Sequence, residues 1–166
     1  MQVDSNACSM FWKEYLWQLP DDHPHHSALP DAFAFGGEGP LGHELAALVV
    51  QNKKRATTSL PIEFTTLNES LPTVGAVSII LDGTLVPVAI IERTSVESVP
   101  FESVSAEYAA IEGEGDGSLT YCRTAHIEYF NEVCSRLGGV FNNQTPVLCQ
   151  TFWMVWPASA TNSSAH

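Results

Sequence analysis

At 166 residues the chain is long enough for one domain with a buried core, and 45% apolar against 16% charged residues is a globular composition that excludes a disordered chain. Seven Lys and Arg against 19 Asp and Glu give a net charge of −12, which excludes tracking along double-stranded DNA or a long RNA backbone and leaves room for a nucleoside or a short single strand. No apolar run approaches the ~20 residues that span a bilayer, and the N-terminus lacks the positive region of a secretory signal.

Cys8, Cys122, Cys134 and Cys149 form no CxxC pair and no zinc spacing, so they read as reduced thiols of a cytoplasmic protein. In chain order, Phe11, Tyr15, Leu16 and Leu19 recur at helical spacing and predict a helix over 10–19, stopped by Pro20. His23, His25 and His26 follow in a loop stiffened by Pro24; their spacing fits no common ligand pattern and predicts an ordinary surface loop. Pro40 suits the first turn of a helix over 41–52, with Leu41, Leu45, Leu48 and Val49 as its buried stripe. Asn52 suits its end, because Asn tolerates the left-handed conformation.

The basic cluster Lys53-Lys54-Arg55 follows, leading into an extended segment over 56–60. The pattern then changes to strands over 76–81 and 85–93 around an Asp82-Gly83 two-residue turn, with Pro87 confined to an edge or a bulge. A short strand over 96–101 and a short helix over 103–110 come next. Gly113, Gly115 and Gly117 alternate with acids before a long helix over 118–137, whose inner face carries Leu119, Cys122, His126, Tyr129, Val133 and Leu137. An apolar strand over 147–156 closes the domain, and the small, polar tail over 158–166 is expected to be disordered. Hairpin strands with flanking helices and a late strand predict an α+β fold, with a small barrel as the expected architecture.

Three polar features call for chemistry. A cation cluster beside Thr57 and Thr58 is a place for an oxyanion, or for a lysine made basic by burial and crowding; its structural alternative is a solvated helix end. Glu112 follows the apolar run Tyr108-Ala109-Ala110-Ile111, and a half-buried carboxylate needs a cationic partner, for which Lys54 is the candidate. The stretch from Glu114 to Ser118 lacks the length of a calcium loop and reads as a helix entry capped by Asp116 or Ser118.

The order of Phe35-Gly36, Asn52-Lys53-Lys54-Arg55-Ala56-Thr57, Val99-Pro100-Phe101 and Glu112-Gly113-Glu114-Gly115-Asp116 with Ser118-Leu119 resembles the ASCH family of PUA-like barrel domains. The family pattern GxKxxT is matched at Lys54 and Thr57 and departs at Asn52, where the family has Gly. The resemblance implies an ASCH domain over 31–157, preceded by a helix-and-loop extension over 1–30. It also implies a hydrolase that removes the acyl group from N4-acetylcytidine, with Lys54, Thr57 and Glu112 as catalytic residues. Thr57 would be the nucleophile and a neutral Lys54 its base. Lys53, Arg55, Phe35, Ser118 and His126 are the expected substrate contacts, with no metal and no cofactor. Longer members of the family include a ribonuclease on single-stranded RNA, and a non-catalytic reader of RNA or of a modified nucleoside is the third reading.

Overall fold

A computed structural model describes residues 2–27 and 30–158; the expected disordered tail lies almost wholly outside them. The elements, in order, are α1 (Ser5–Leu16), β1 (Asp31–Phe33), α2 (Pro40–Val50), β2 (Ala56–Ser59), α3 (Ile62–Thr65), β3 (Val77–Leu81), β4 (Pro87–Pro100), α4 (Ala106–Glu112), α5 (Leu119–Leu137) and β5 (Pro146–Trp156), with short 3-10 turns at Pro24–Ser27 and Phe101–Ser103. The strands form one mixed sheet in the order β1-β3-β4-β5-β2. The α+β class therefore holds. Among the described residues β1 and β2 stand at the two ends of the strand order, and no pairing between them closes the sheet into the expected barrel.

The chain divides into two compact units, and β4 and β5 contribute to both. The first holds residues 1–52, 75–92 and 153–166. Here β1 runs parallel to β3, and β3 antiparallel to the start of β4. Asp4 caps α1 by accepting from the Asn6 and Ala7 amides. The helix buries Trp12 and Tyr15 against Ile79, Leu81 and Ile90. It begins earlier than its apolar spacing predicts because the cap at Asp4, not the first aromatic, sets its start. His25 corrects the surface-loop expectation, since its Nδ1 meets the Tyr15 hydroxyl at 2.8 Å and its Nε2 lies 3.2 Å from Glu92. In α2, Leu45 and Val49 are buried while Leu41 is exposed, so the inner stripe is narrower than the pattern suggests. Asn52 ends that helical run at φ 64°, in the left-handed conformation expected of it. The turn after β3 is longer than two residues: Leu85 takes φ 63°, and the Asp82 carboxylate accepts from Thr84 and the Val86 amide. Pro87 opens β4 opposite a register shift at Ile80/Leu81, the irregularity that its missing donor requires.

The second unit holds residues 53–74 and 93–152. Strand β2 pairs antiparallel with β5, Ala56 opposite Thr151 and Ser59 opposite Leu148. Its core joins Leu60, Phe101, Val104 and Ala109 to Cys122, Phe130, Val133 and Cys134 of α5 and to Val147 and Cys149 of β5. Tyr129 departs from the expected inner face of α5: it is exposed, and its hydroxyl donates to Glu63. The separate strand expected over 96–101 is the end of β4, and α3 and β1 are elements the periodicity did not reveal.

Candidate functional site

Local structure brings the chemistry together inside the second unit. The Arg55 backbone is held on both sides, its amide donating to the Ile111 carbonyl and its carbonyl accepting from the Phe152 amide, each at 2.9 Å. From this anchor the chain extends, and side chains alternate with the strand period of two. Lys54, Ala56 and Thr58 are buried, while Lys53 is exposed and Arg55 and Thr57 are half-buried. Helix α4 is capped by Ser105 and ends at Gly113 in the left-handed conformation, φ 69°. A Cβ at Gly113 would collide with the Lys53 carbonyl, so glycine lets the α4 terminus, and Glu112 with it, approach the Lys54 segment.

Glu112 is the hub. Its residue is 2% exposed, and Lys54 is 1% exposed. Oε1 of Glu112 accepts from the Thr58 hydroxyl at 3.0 Å and from the Cys122 thiol at 3.5 Å. Oε2 lies 3.4 Å from Nε2 of His126 and 3.8 Å from Nζ of Lys54. Nζ of Lys54 donates to Glu114 Oε2 and to the Ala56 carbonyl, both at 2.7 Å. Tyr108 donates to the Thr57 carbonyl at 2.6 Å, and its oxygen stands 3.2 Å from the Thr58 hydroxyl. His126 sits one turn after Cys122 on α5, with Nδ1 donating to the Cys122 carbonyl at 2.7 Å.

Ionisation follows from these contacts. Burial alone would raise the Glu112 pKa, but His126, Lys54 and Thr58 together hold it below the ordinary carboxylate value. Burial alone would lower that of His126; hydrogen bonding to Cys122 and Glu112 and the Glu112 charge outweigh it and push the imidazole up to about 11. Burial, reinforced by the Glu112 charge, raises Tyr108 far enough that it serves as a neutral donor. The centre is thus a carboxylate between two cations, with a hydroxyl in contact.

A small cleft reaches it from the helical side, lined by Ala109, Glu112, Glu114, Tyr121, Cys122, Ala125 and His126. Tyr121, 43% exposed, is an aromatic face on that wall. Glu112, Cys122 and His126 also present one metal-ligating atom each, all within 4.8 Å of one another.

The sequence-based candidates divide accordingly. Lys54 and Glu112 meet, and His126 joins them as a partner of Glu112. Nζ of Lys54 meets the Ala56 carbonyl and the carboxylates of Glu114 and Glu112, while Lys53, expected to crowd it, is exposed. Among the described residues, the Thr57 hydroxyl makes no hydrogen bond to Lys54 or Glu112; Thr58 does. Ser118 is the α5 cap, its Oγ accepting from the Tyr121 amide. Phe35 is buried beside Phe33 in the first unit. Thr58, Tyr108, Glu114 and Cys122 are the members that motif reading missed. Stepping by two from Lys54 along an extended segment would have found Thr58.

A family model described as ASCH domain matches residues 31–156. The chain is similar to the crystal structure of an ASCH domain from Lactobacillus crispatus JV V101, at 28% identity and TM-score 0.84 over 93% of this chain and 98% of that one. It is also similar to a protein of Enterococcus faecalis V583, at 31% identity and TM-score 0.76 over 91% of each chain. No curated protein matches it. Among the described residues, no helix is long and apolar enough to cross a membrane.

Proposed function

Because the chain belongs to the ASCH domain family, and because its buried polar centre couples a hydroxyl to a carboxylate between two cations, we propose that it is a hydrolase of N4-acylated cytosine nucleosides. The observation that carries this reading is the Thr58–Glu112 hydrogen bond, 3.0 Å long, with Lys54 and His126 on the far oxygen of the same carboxylate. A hydroxyl within reach of an ionised base is the arrangement that activates a weak nucleophile.

In this reading Thr58 attacks the amide carbonyl as its proton passes to Oε1 of Glu112. Collapse of the tetrahedral intermediate breaks the C–N bond, and Glu112 returns the proton to the leaving cytosine amine. Water then cleaves the acyl-threonine ester, with Glu112 again the base. Lys54, held as a donor, is the cation placed to stabilise developing negative charge. The cations keep Glu112 ionised at neutral pH at some cost in basicity. Thr57, which the family pattern selects, is the competing nucleophile.

The walls favour a small neutral substrate over RNA. Glu112 and Glu114 line the cleft, and a chain of net charge −12 repels phosphates, whereas Tyr121 offers a face on which a base can stack.

The test is incubation of the protein with N4-acetylcytidine, with and without chelator, following loss of the acylcytosine absorbance. Conversion to cytidine that Thr58→Ala and Lys54→Ala abolish while Thr57→Ala retains it supports the assignment. Loss with Thr57→Ala alone returns the nucleophile to Thr57 and keeps the function. No conversion by folded protein refutes the hydrolase and directs the search to single-stranded RNA, whose binding or cleavage would fall steeply with salt.

A further inference from the structure

Cys122, His126 and Glu112 have a second property that the hydrolase reading does not use. Cys122 and His126 are spaced i, i+4 on α5, so both side chains leave one face of a helix whose start is fixed by the Ser118 cap. Glu112 comes from the end of α4, fixed by Gly113. The three ligands therefore sit on two braced helix segments rather than on a loop.

The hydrogen bonds orient the ligand atoms. Nδ1 of His126 donates to the Cys122 carbonyl at 2.7 Å, so in the neutral imidazole, the form that binds a metal, the lone pair is on Nε2. A backbone carbonyl on the other ring nitrogen is the partner that metal-bound imidazoles usually have. Nε2 faces Oε2 of Glu112 at 3.4 Å. That oxygen is buried and has no hydrogen-bond partner among the described residues. With His126 neutral, two acceptors would face each other across that gap, an arrangement that costs free energy unless a cation takes the place of the second imidazole proton.

The spacing suits a tetrahedral ion. Bonds of ~2.0–2.3 Å at tetrahedral angles hold ligand atoms roughly 3.3–3.8 Å apart. Oε2 and Nε2 are 3.4 Å apart, inside that range, and one ligand atom from each of the three residues lies within 4.8 Å of the others; the Cys122 sulfur itself rests 3.5 Å from Oε1 and 3.4 Å from Nδ1. Charge also balances. Glu112, Glu114 and a Cys122 thiolate bring three negative charges; Lys54 and a divalent ion bring three positive ones. The sulfur–nitrogen–oxygen set selects a borderline-soft ion over magnesium or calcium. Glu112, Cys122 and His126 all line the small cleft, beside Ala109 and Ala125, which offer no competing ligand.

We propose that Glu112, Cys122 and His126 form a three-ligand site for a zinc-class divalent cation, with the fourth coordination position open to the cleft. The site shares Glu112 and His126 with the hydrolase reading but is tested without it, and it counters the sequence expectation of no metal. Its competitor for the gap is a second proton on His126.

Chelator-treated full-length protein is titrated with cobalt(II), and the thiolate-to-cobalt charge-transfer band is read together with the d–d bands of a tetrahedral site. Expected are saturation at one equivalent, displacement by zinc, and loss of the band in Cys122→Ser, with affinity at least ~100-fold weaker in His126→Gln. Cys8→Ser should keep the band. The histidines near residue 25 have no thiol among them and give no such band. Absence of the band from wild-type protein at saturating cobalt, or its persistence in folded Cys122→Ser, overturns the site. The wild-type result decides even if a variant fails to fold. Because the readout is optical and needs no substrate, a failure of N4-acetylcytidine hydrolysis leaves it interpretable.

Discussion

Replacing Lys54 with methionine keeps the length of the stem and removes the charge from a position that is 1% exposed. Three consequences follow from the geometry. The Ala56 carbonyl loses its donor at 2.7 Å, Glu114 loses a partner at the same distance, and Glu112 loses a cation at 3.8 Å. Glu114 has a side chain 23% exposed and can turn toward water; Glu112 cannot, and keeps its hydrogen bonds from Thr58 and Cys122 but loses one of its two cationic neighbours, leaving His126. Stranding one member of a buried ion pair costs ~3–5 kcal/mol. For a chain of this size each kcal/mol lowers Tm by ~2–4 °C, so Lys54→Met should melt roughly 6–20 °C lower. Lys53→Met, at the exposed neighbour, should stay within ~0.5 kcal/mol. The double variant K54M/E112Q should be less destabilised than the sum of its single changes by ~1–3 kcal/mol, because neutral Gln no longer needs the cation. Urea unfolding at neutral pH measures all four variants. If Lys54→Met costs no more than Lys53→Met, or if the Lys54 and Glu112 costs simply add, the buried pair is not what holds this centre.

Stability should also depend on pH with a defined sign. The His126 pKa is raised in the folded state, so its contribution is complete below about 6.5 and drains as pH rises toward about 11. That of Glu112 is depressed, so its contribution is complete above about 4.5 and is lost as pH falls through its folded value. A plateau between those limits is the expected denaturation profile; His126→Gln should lower it and flatten its alkaline limb, since the group whose deprotonation causes that limb is gone, and an unchanged alkaline limb in that variant would contradict it. Thr58→Val should cost ~1–3 kcal/mol, since Oε1 of Glu112 is left with only the Cys122 thiol, whereas Thr57→Val should be nearly neutral. Equal urea midpoints for the two would refute the assignment of faces. Gly113→Ala should cost at least ~1–2 kcal/mol from the left-handed backbone alone, and more from the collision with Lys53. A cost below ~0.5 kcal/mol by the same assay would show that the α4 terminus is free to move.

Much of this protein was legible from local pattern. Short apolar runs located β3 and β5, which are buried at successive positions on both faces, and 3.6 spacing located the body of α5, which buries one face. Asn52 was expected to adopt the left-handed conformation and does, since its short polar side chain tolerates it. A carboxylate following an apolar run needs a cation, which pairs Glu112 with Lys54, and the two lie 3.8 Å apart. The three-residue β1 and four-residue α3 were not legible, because so few residues carry no period and both depend on what packs beside them. The open sheet was not legible either, as strand order is decided by which edges are paired and not by any one strand. Nor could spacing along the chain reveal that Thr58 rather than Thr57 reaches Glu112. That choice was made by the register of β2 on β5 and the anchoring of Arg55, which set the face each threonine presents. The partners of His126 were decided in the same way. A histidine on the inner face of a helix is a core residue or a reactive one according to what lies opposite, and only the fold brings the α4 terminus within 3.4 Å of it.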